Sequence, residues 1–150
     1  MNTLEKDGQR FLQLATRLRR LGSNAPTDKV APVSPSQLAL LEYVDGSAGC
    51  GVKEIADKLQ LSSATVSIGV RQLEKMEWLR RQPHPHDKRA IQLFIAPKGA
   101  EILERSQAFY RHKFEQILSG LARDERETLL SLLERAIDAA EDQGDTDEIK

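Results

Sequence analysis

At 150 residues, with 39% hydrophobic side chains and a formal net charge of −1, the chain has the size and composition of one folded domain with its own hydrophobic core. The N-terminal stretch MNTLEKDGQR carries acids and the longest apolar runs are LALL and LFIA, so we expect no export signal, no membrane span and a cytoplasmic location. A single cysteine, Cys50, leaves no internal disulfide framework, in keeping with a reducing compartment.

The charge is unevenly spread. From Val52 to Lys98 there are nine Lys or Arg against five acids, whereas from Asp124 to Lys150 there are ten acids against three basic residues. A basic middle and an acidic end fit either a nucleic-acid-binding centre on a non-binding support or a mixed solvated surface.

In chain order, Leu4, Phe11, Leu14, Ala15, Leu18 and Leu21 sit at helical spacing, and Gly22 followed by SNAPTDKVAP predicts a loop. In VSPSQLALLEYVDG, Ser34 suits an N-cap, Pro35 the first helical position and Gly46 the stop. GVKEIADKLQ and LSSATVSIGVRQLEKM then predict two short helices sharing one small core. Ile55, Ala56 and Leu59 form the inner face of the first, Leu61 sits in the turn, and Val66, Val70 and Leu73 form the inner face of the second. Ser62 is placed to cap that second helix, and Ala64, Ser67, Ile68, Arg71 and Lys75 fall roughly opposite its apolar stripe.

Next, WLRRQ and AIQLFIA flank PHPHDKR, and Ile91, Leu93 and Ile95 alternate with Gln92 and Phe94 as strand residues do. This predicts a hairpin with a charged tip. Two amphipathic helices follow, from about Lys98 to Ser119 and from about Asp124 to Glu141, the latter with Leu129, Leu132, Leu133, Ala136, Ile137 and Ala140 on one stripe. The ending DQGDTDEIK predicts a frayed or disordered tail. The expected fold is mostly α with one small β-hairpin.

A helix-turn-helix presents the N-terminal part and outer face of its second helix to the DNA major groove, where small hydroxyl residues approach closely and arginine reaches guanine. The same residues would also suit a plain helical hairpin with a solvated face. A two-stranded ribbon directly afterwards is a wing, and its tip HPHDKR carries charges suited to phosphates or the minor groove.

With these pieces in place, the sequence resembles the MarR family of winged-helix transcription regulators. The resemblance rests on SPSQLALL, IADKLQLSSATVSIGVRQLEKMEWLRR, DKRAIQLFIAPKGAEIL and LARDERETLLSLLERA, which span most of residues 34–137. Asp87, Arg89 and Pro97-Lys98-Gly99 leading into a long helix form its most specific part. It implies a winged helix-turn-helix lobe at 34–97, dimerisation helices at 1–33 and 98–142, and a flexible acidic tail at 143–150. It also implies a ligand-responsive repressor, acting as a homodimer on a pseudo-palindromic operator and answering to a small aromatic or anionic molecule. The residues expected at DNA are Ser62, Ser63, Ala64, Thr65, Ser67, Ile68, Arg71 and Lys75 on the recognition helix and Arg81, His86, Asp87, Lys88 and Arg89 on the wing. Asp87 is expected to hold the Arg89 guanidinium in a fixed direction. Dimerisation is expected to use Phe11, Leu14, Leu18, Phe109, Tyr110, Phe114, Ile117, Leu129, Leu133 and Ile137, although a monomeric bundle core would also hide part of this surface.

Three positions depart from the family's pattern. Ile68 stands where relatives often carry a basic residue, Gly69 where they carry an apolar one, and Glu77 where a glycine commonly ends the recognition helix. Either Glu77 bears left-handed strain or the helix ends differently. The competing class is a winged-helix protein-interaction module without DNA binding. Enzymatic motifs such as GxSxG, HExxH or a phosphate-cradling glycine loop are missing from the sequence. His84 and His86 alone are too few ligands for zinc, no metal or other cofactor is expected, and Cys50 reads as an inert loop cysteine.

Overall fold

The computed structural model of the chain describes residues 1–21, 33–87 and 89–147. The loop expected over 22–32 and the wing residue Lys88 lie outside the described residues. The chain forms two compact units, Met1–Arg111 and His112–Lys150.

The first unit opens with α1 (Thr3–Arg20), started by a capping box in which Asn2 accepts from the Glu5 amide and the Glu5 carboxylate accepts from the Asn2 amide. α1 has no buried residue. α2 (Pro35–Gly46) begins with a second capping box, Ser34 with Gln37, and Pro35 occupies the first turn where its missing N–H costs nothing. α3 (Val52–Leu59) and α4 (Ser63–Lys75) follow, then β1 (Leu79–Pro83), β2 (Ile91–Ile95) and α5 (Pro97–Leu118).

Leu41, Val44, Ile55, Val66, Val70, Leu73 and Leu93 are sealed from solvent in one core made by α2, α3, α4 and the hairpin. Tyr43 adds a polar tie from α2 to α3 by donating its hydroxyl to Glu54 Oε2 at 2.8 Å. An isolated antiparallel bridge adds to the free edge of β2: Cys50 bridges Leu93, the Gly49 amide donates to the Leu93 carbonyl at 2.8 Å, and the Leu93 amide donates to the Cys50 carbonyl at 2.9 Å. Gly49 needs its glycine, since its φ of 87° lies in the left-handed region.

α4 ends in a Schellman motif with glutamate in the glycine place. Glu77 has φ of 62°, its amide donates to Glu74 O at 2.9 Å, and the Trp78 amide donates to Leu73 O at 2.9 Å. The left-handed alternative is therefore the one adopted, at a cost of about 1 kcal/mol for a residue with a Cβ. Two residues into α5, Gly99 is buried against the Trp78 backbone, and any Cβ there would collide with the Trp78 carbonyl. The Pro-Lys-Gly sequence is thus the joint at which the wing enters α5.

The second unit contains the end of α5 and α6 (Arg123–Asp147). Glu125 closes the start of α6 by accepting from the Ala122 amide at 2.8 Å. α6 runs past Glu141, so residues 143–147, expected in a flexible tail, continue the helix. Extending an existing helix adds one hydrogen bond per ordered residue, which lets it persist although its last turn has no basic side chain.

Candidate nucleic-acid interface

The site grows from the way α4 is mounted. Val66, Val70 and Leu73 fix its inner face in the core with no exposure. At about 100° of rotation per residue, the point opposite that stripe is Ile68, with Ala64, Thr65, Arg71, Gln72 and Lys75 within about 60° of it. All six of these outer-face side chains are exposed. Ser67 lies at the flank and is half-buried. Gln72 is absent from the set expected from sequence; its spacing of four from Ile68 was the signal that would have found it.

Gly69 explains how closely α4 is seated. A Cβ there would approach Leu40 Cδ1 at 2.7 Å, inside contact distance, so the glycine leaves room for the Leu40 side chain between α2 and α4.

At the start of α4, Ser62 Oγ accepts from the Thr65 amide at 3.1 Å and shares a hydrogen bond of 2.8 Å with Thr65 Oγ1. One proton lies between these two hydroxyls, so whichever group supplies it, the other keeps a proton to donate outward. The amides of Ser63 and Ala64, in the first turn, have no intrahelical acceptor and suit a phosphate oxygen.

In the wing, Leu79 pairs with Ile95, Arg80 with Phe94, Arg81 with Leu93, Gln82 with Gln92 and Pro83 with Ile91. Period-two alternation therefore puts Arg81 on the same face as the buried Leu79 and Leu93. Its guanidinium is given to Glu74 of α4, with Nε at 3.0 and 3.1 Å from the two carboxylate oxygens and Nη2 at 2.6 Å. Arg81, expected among the residues at DNA, is thus engaged in tying β1 to α4. Arg80 faces the opposite side, with its guanidinium 5.7 Å from the centre of the Phe94 ring.

The wing tip is shaped by its own backbone. The His84 amide donates to Ala90 O at 3.0 Å and the Ala90 amide to Asp87 O at 3.1 Å. Asp87 Oδ1 accepts from the Arg89 amide at 3.0 Å, so this carboxylate oxygen holds the turn; we find no ion pair between the Asp87 and Arg89 side chains among the described contacts. Besides the guanidinium-holding role expected of it, Asp87 thus has a backbone role in the turn that carries Arg89. The His86 amide donates to His84 Nδ1 at 3.1 Å, which leaves the neutral His84 ring its proton on Nε2. His86, Asp87 and Arg89 are exposed.

The helices expected to dimerise carry uncovered apolar surface. In the first unit, Phe11 is 62%, Leu14 48% and Leu18 37% exposed. Phe109 and Tyr110 are half-buried and meet edge to face at 5.5 Å, and the Tyr110 hydroxyl donates to Val33 O at 2.9 Å. Tyr110 is therefore anchored within its own chain, an intrachain role that its helical spacing did not distinguish from dimerisation. In the second unit, Phe114, Leu129 and Ile137 are exposed, whereas Ile117 and Leu133 are half-buried.

Among the described residues no group of three His, Cys, Asp or Glu could hold a metal ion, and no helix is long and apolar enough to cross a membrane. Cys50 is 5% exposed and burial pushes its thiol pKa up, which keeps it protonated and unreactive.

The MarR family model matches residues 33–91, the span from the start of α2 to the start of β2. The Bacillus subtilis HTH-type transcriptional regulator YkoM is 29% identical over 103 residues, covering 69% of this chain and 67% of that protein. Its HTH-type regulator MhqR is 27% identical over 103 residues, covering 69% and 71%. Among solved structures, a probable transcriptional regulator from Pseudomonas aeruginosa is 27% identical, with a TM-score of 0.71 over 86% of this chain and 95% of that one. The transcriptional repressor CouR, bound to a 23-mer DNA duplex, is 25% identical, with a TM-score of 0.74 over 87% and 91%. Two helices sharing a core, a hairpin wing and a Pro-Lys-Gly joint into a long helix, with a family-model match over residues 33–91 and a shared fold over most of the chain, make this chain similar to the MarR family of winged helix-turn-helix transcription regulators.

Proposed function

We propose that the protein is a cytoplasmic, sequence-specific regulator that binds double-stranded DNA as a homodimer on a pseudo-palindromic operator. The outer face of α4 carries this reading: a rigidly mounted crest of small, hydroxyl, amide and cationic side chains, directly followed by a wing with an exposed arginine at its tip. Ser63, Ala64 and the Ser62–Thr65 hydroxyl pair meet phosphate at the groove edge. Arg71 and Gln72 reach base edges, where arginine selects guanine and glutamine adenine. Lys75 contacts the backbone, and Arg89, with His86, enters the neighbouring minor groove. The CouR complex with a DNA duplex supports this assignment by its likeness in sequence and fold.

The dimer reading is supported by the exposed apolar side chains of α1 and α6, since helices of this kind pack against a partner in a folded assembly. The likeness to MarR-family regulators supports our reading of the direction of control and its agent: a repressor whose affinity changes when a small aromatic or anionic molecule binds.

The test is selection of duplexes from a random library by the full chain, followed by affinity measurement across a salt series. We expect one enriched two-part sequence whose binding falls steeply with salt, as counterion release demands. No enrichment, with binding indifferent to salt, would leave the winged-helix lobe as a protein-interaction module.

A further inference from the structure

The one large apolar side chain exposed on α4 is Ile68, and it stands at the centre of the face turned to DNA in the proposed function, on which this inference rests. It is 58% exposed, among Ala64, Thr65, Arg71, Gln72 and Lys75. A single exposed isoleucine is ordinary on a protein surface. Its position is what calls for an occupant: it is diametrically opposite the core stripe, on a helix whose rotation is fixed by the full burial of Val66, Val70 and Leu73.

We propose that Ile68 reads the 5-methyl group of a thymine in the major groove and so sets base preference at one position of each half-site. Thymine alone among the four bases presents a methyl group there, while the others present only donors and acceptors. Isoleucine has no hydrogen-bonding group. Placed over the amino group of adenine or cytosine, it would strip water from a donor and give nothing back, so the same residue that favours thymine disfavours the alternatives. Its β-branch restricts χ1 in a helix, so its methyl groups point in a fixed direction. Arg71 and Gln72, three and four residues on, stay available for the hydrogen-bonded reading of neighbouring base pairs.

The experiment takes the duplex selected by the full chain and replaces each thymine in turn by deoxyuridine, which removes the methyl and keeps the pairing. Affinities are measured for the wild-type protein and for Ile68→Ala, whose fold the exposed position leaves intact. We expect one thymine per half-site at which methyl removal weakens the wild type about fourfold, the value of one buried methyl-sized group, and leaves Ile68→Ala unaffected. Uracil substitutions that act equally on both proteins at every position overturn the proposal while leaving DNA binding in place. A wild-type chain that enriches no duplex overturns the DNA-binding reading itself, and this assignment with it.

Discussion

At the scale of single residues, the wing tip shows how a carboxylate can serve a surface that phosphate repels. Asp87 is used by the Arg89 amide, so its oxygen and not its charge is what the turn needs. Asparagine can supply the same acceptor without the charge. We therefore predict that Asp87→Ala weakens DNA binding severalfold while Asp87→Asn retains or improves it; charge alone predicts that both substitutions tighten binding. Arg89→Ala should lower the salt slope by about one unit per subunit, and an unchanged slope would remove Arg89 from the interface. On α4, Arg71→Ala should cost about 1–3 kcal/mol and relax preference at one base pair per half-site if it reads guanine, or weaken all sequences alike if it holds phosphate. Binding assays on specific and random duplexes separate these outcomes, and no change on either would exclude Arg71.

At the scale of elements, the informative contact is the fork between Arg81 of β1 and Glu74 of α4. It joins the recognition helix to the wing seven residues later, with the side chains 41% and 25% exposed. A partly exposed bidentate pair is worth about 1 kcal/mol or less to stability, so its main effect is on the angle at which the wing leaves the helix. We predict that Glu74→Gln leaves thermal stability within a few degrees, weakens operator binding without altering base preference, and shows coupling to Arg81→Ala in a double-mutant cycle. Additive losses would show that the two residues act separately.

This contact also marks the limit of what the chain's pattern conveys. Helical spacing located α2, α3 and α4, and alternation located the hairpin, because those periods are imposed by burial on one face. Period two even contained the answer for Arg81: it shares a face with Leu79 and Leu93, whereas Arg80 does not. Its charge suggested DNA, and only the fold brings Glu74 within reach. The bridge at Cys50 escaped for a different reason, since an isolated bridge has no period. Gly69 likewise reads as an oddity until Leu40 is seen against it. Of the candidate site, the crest of α4 was legible from the spacing of its buried stripe, while the hydrogen bonds that shape its cap and the wing turn were not.

At the scale of the whole molecule, the apolar surface of α1 and α6 is what the proposed dimer must cover. On α1, Phe11 is 62% and Leu12 55% exposed, and on α6, Leu132 is 49% and Ile137 54% exposed, each helix showing more apolar side chain than a helix keeps in water without a partner. Ending the chain after Ser119 removes the α6 share of this surface, and we predict a protein that aggregates or stays monomeric. Because aggregation by itself would only report damage, the decisive variant is Leu132→Gln with Ile137→Gln in the full chain. Glutamine is a good helix former, so circular dichroism should be unchanged while dimers dissociate at far higher protein concentration. A monomer binds each half-site separately and loses the gain of linked binding, which is typically 10²–10⁴-fold, so affinity for the two-part operator should fall toward that for a single half-site. Sedimentation showing a well-behaved dimer from residues 1–119, or from the double variant at wild-type concentrations, would place the dimer contact outside α6 and refute the assignment.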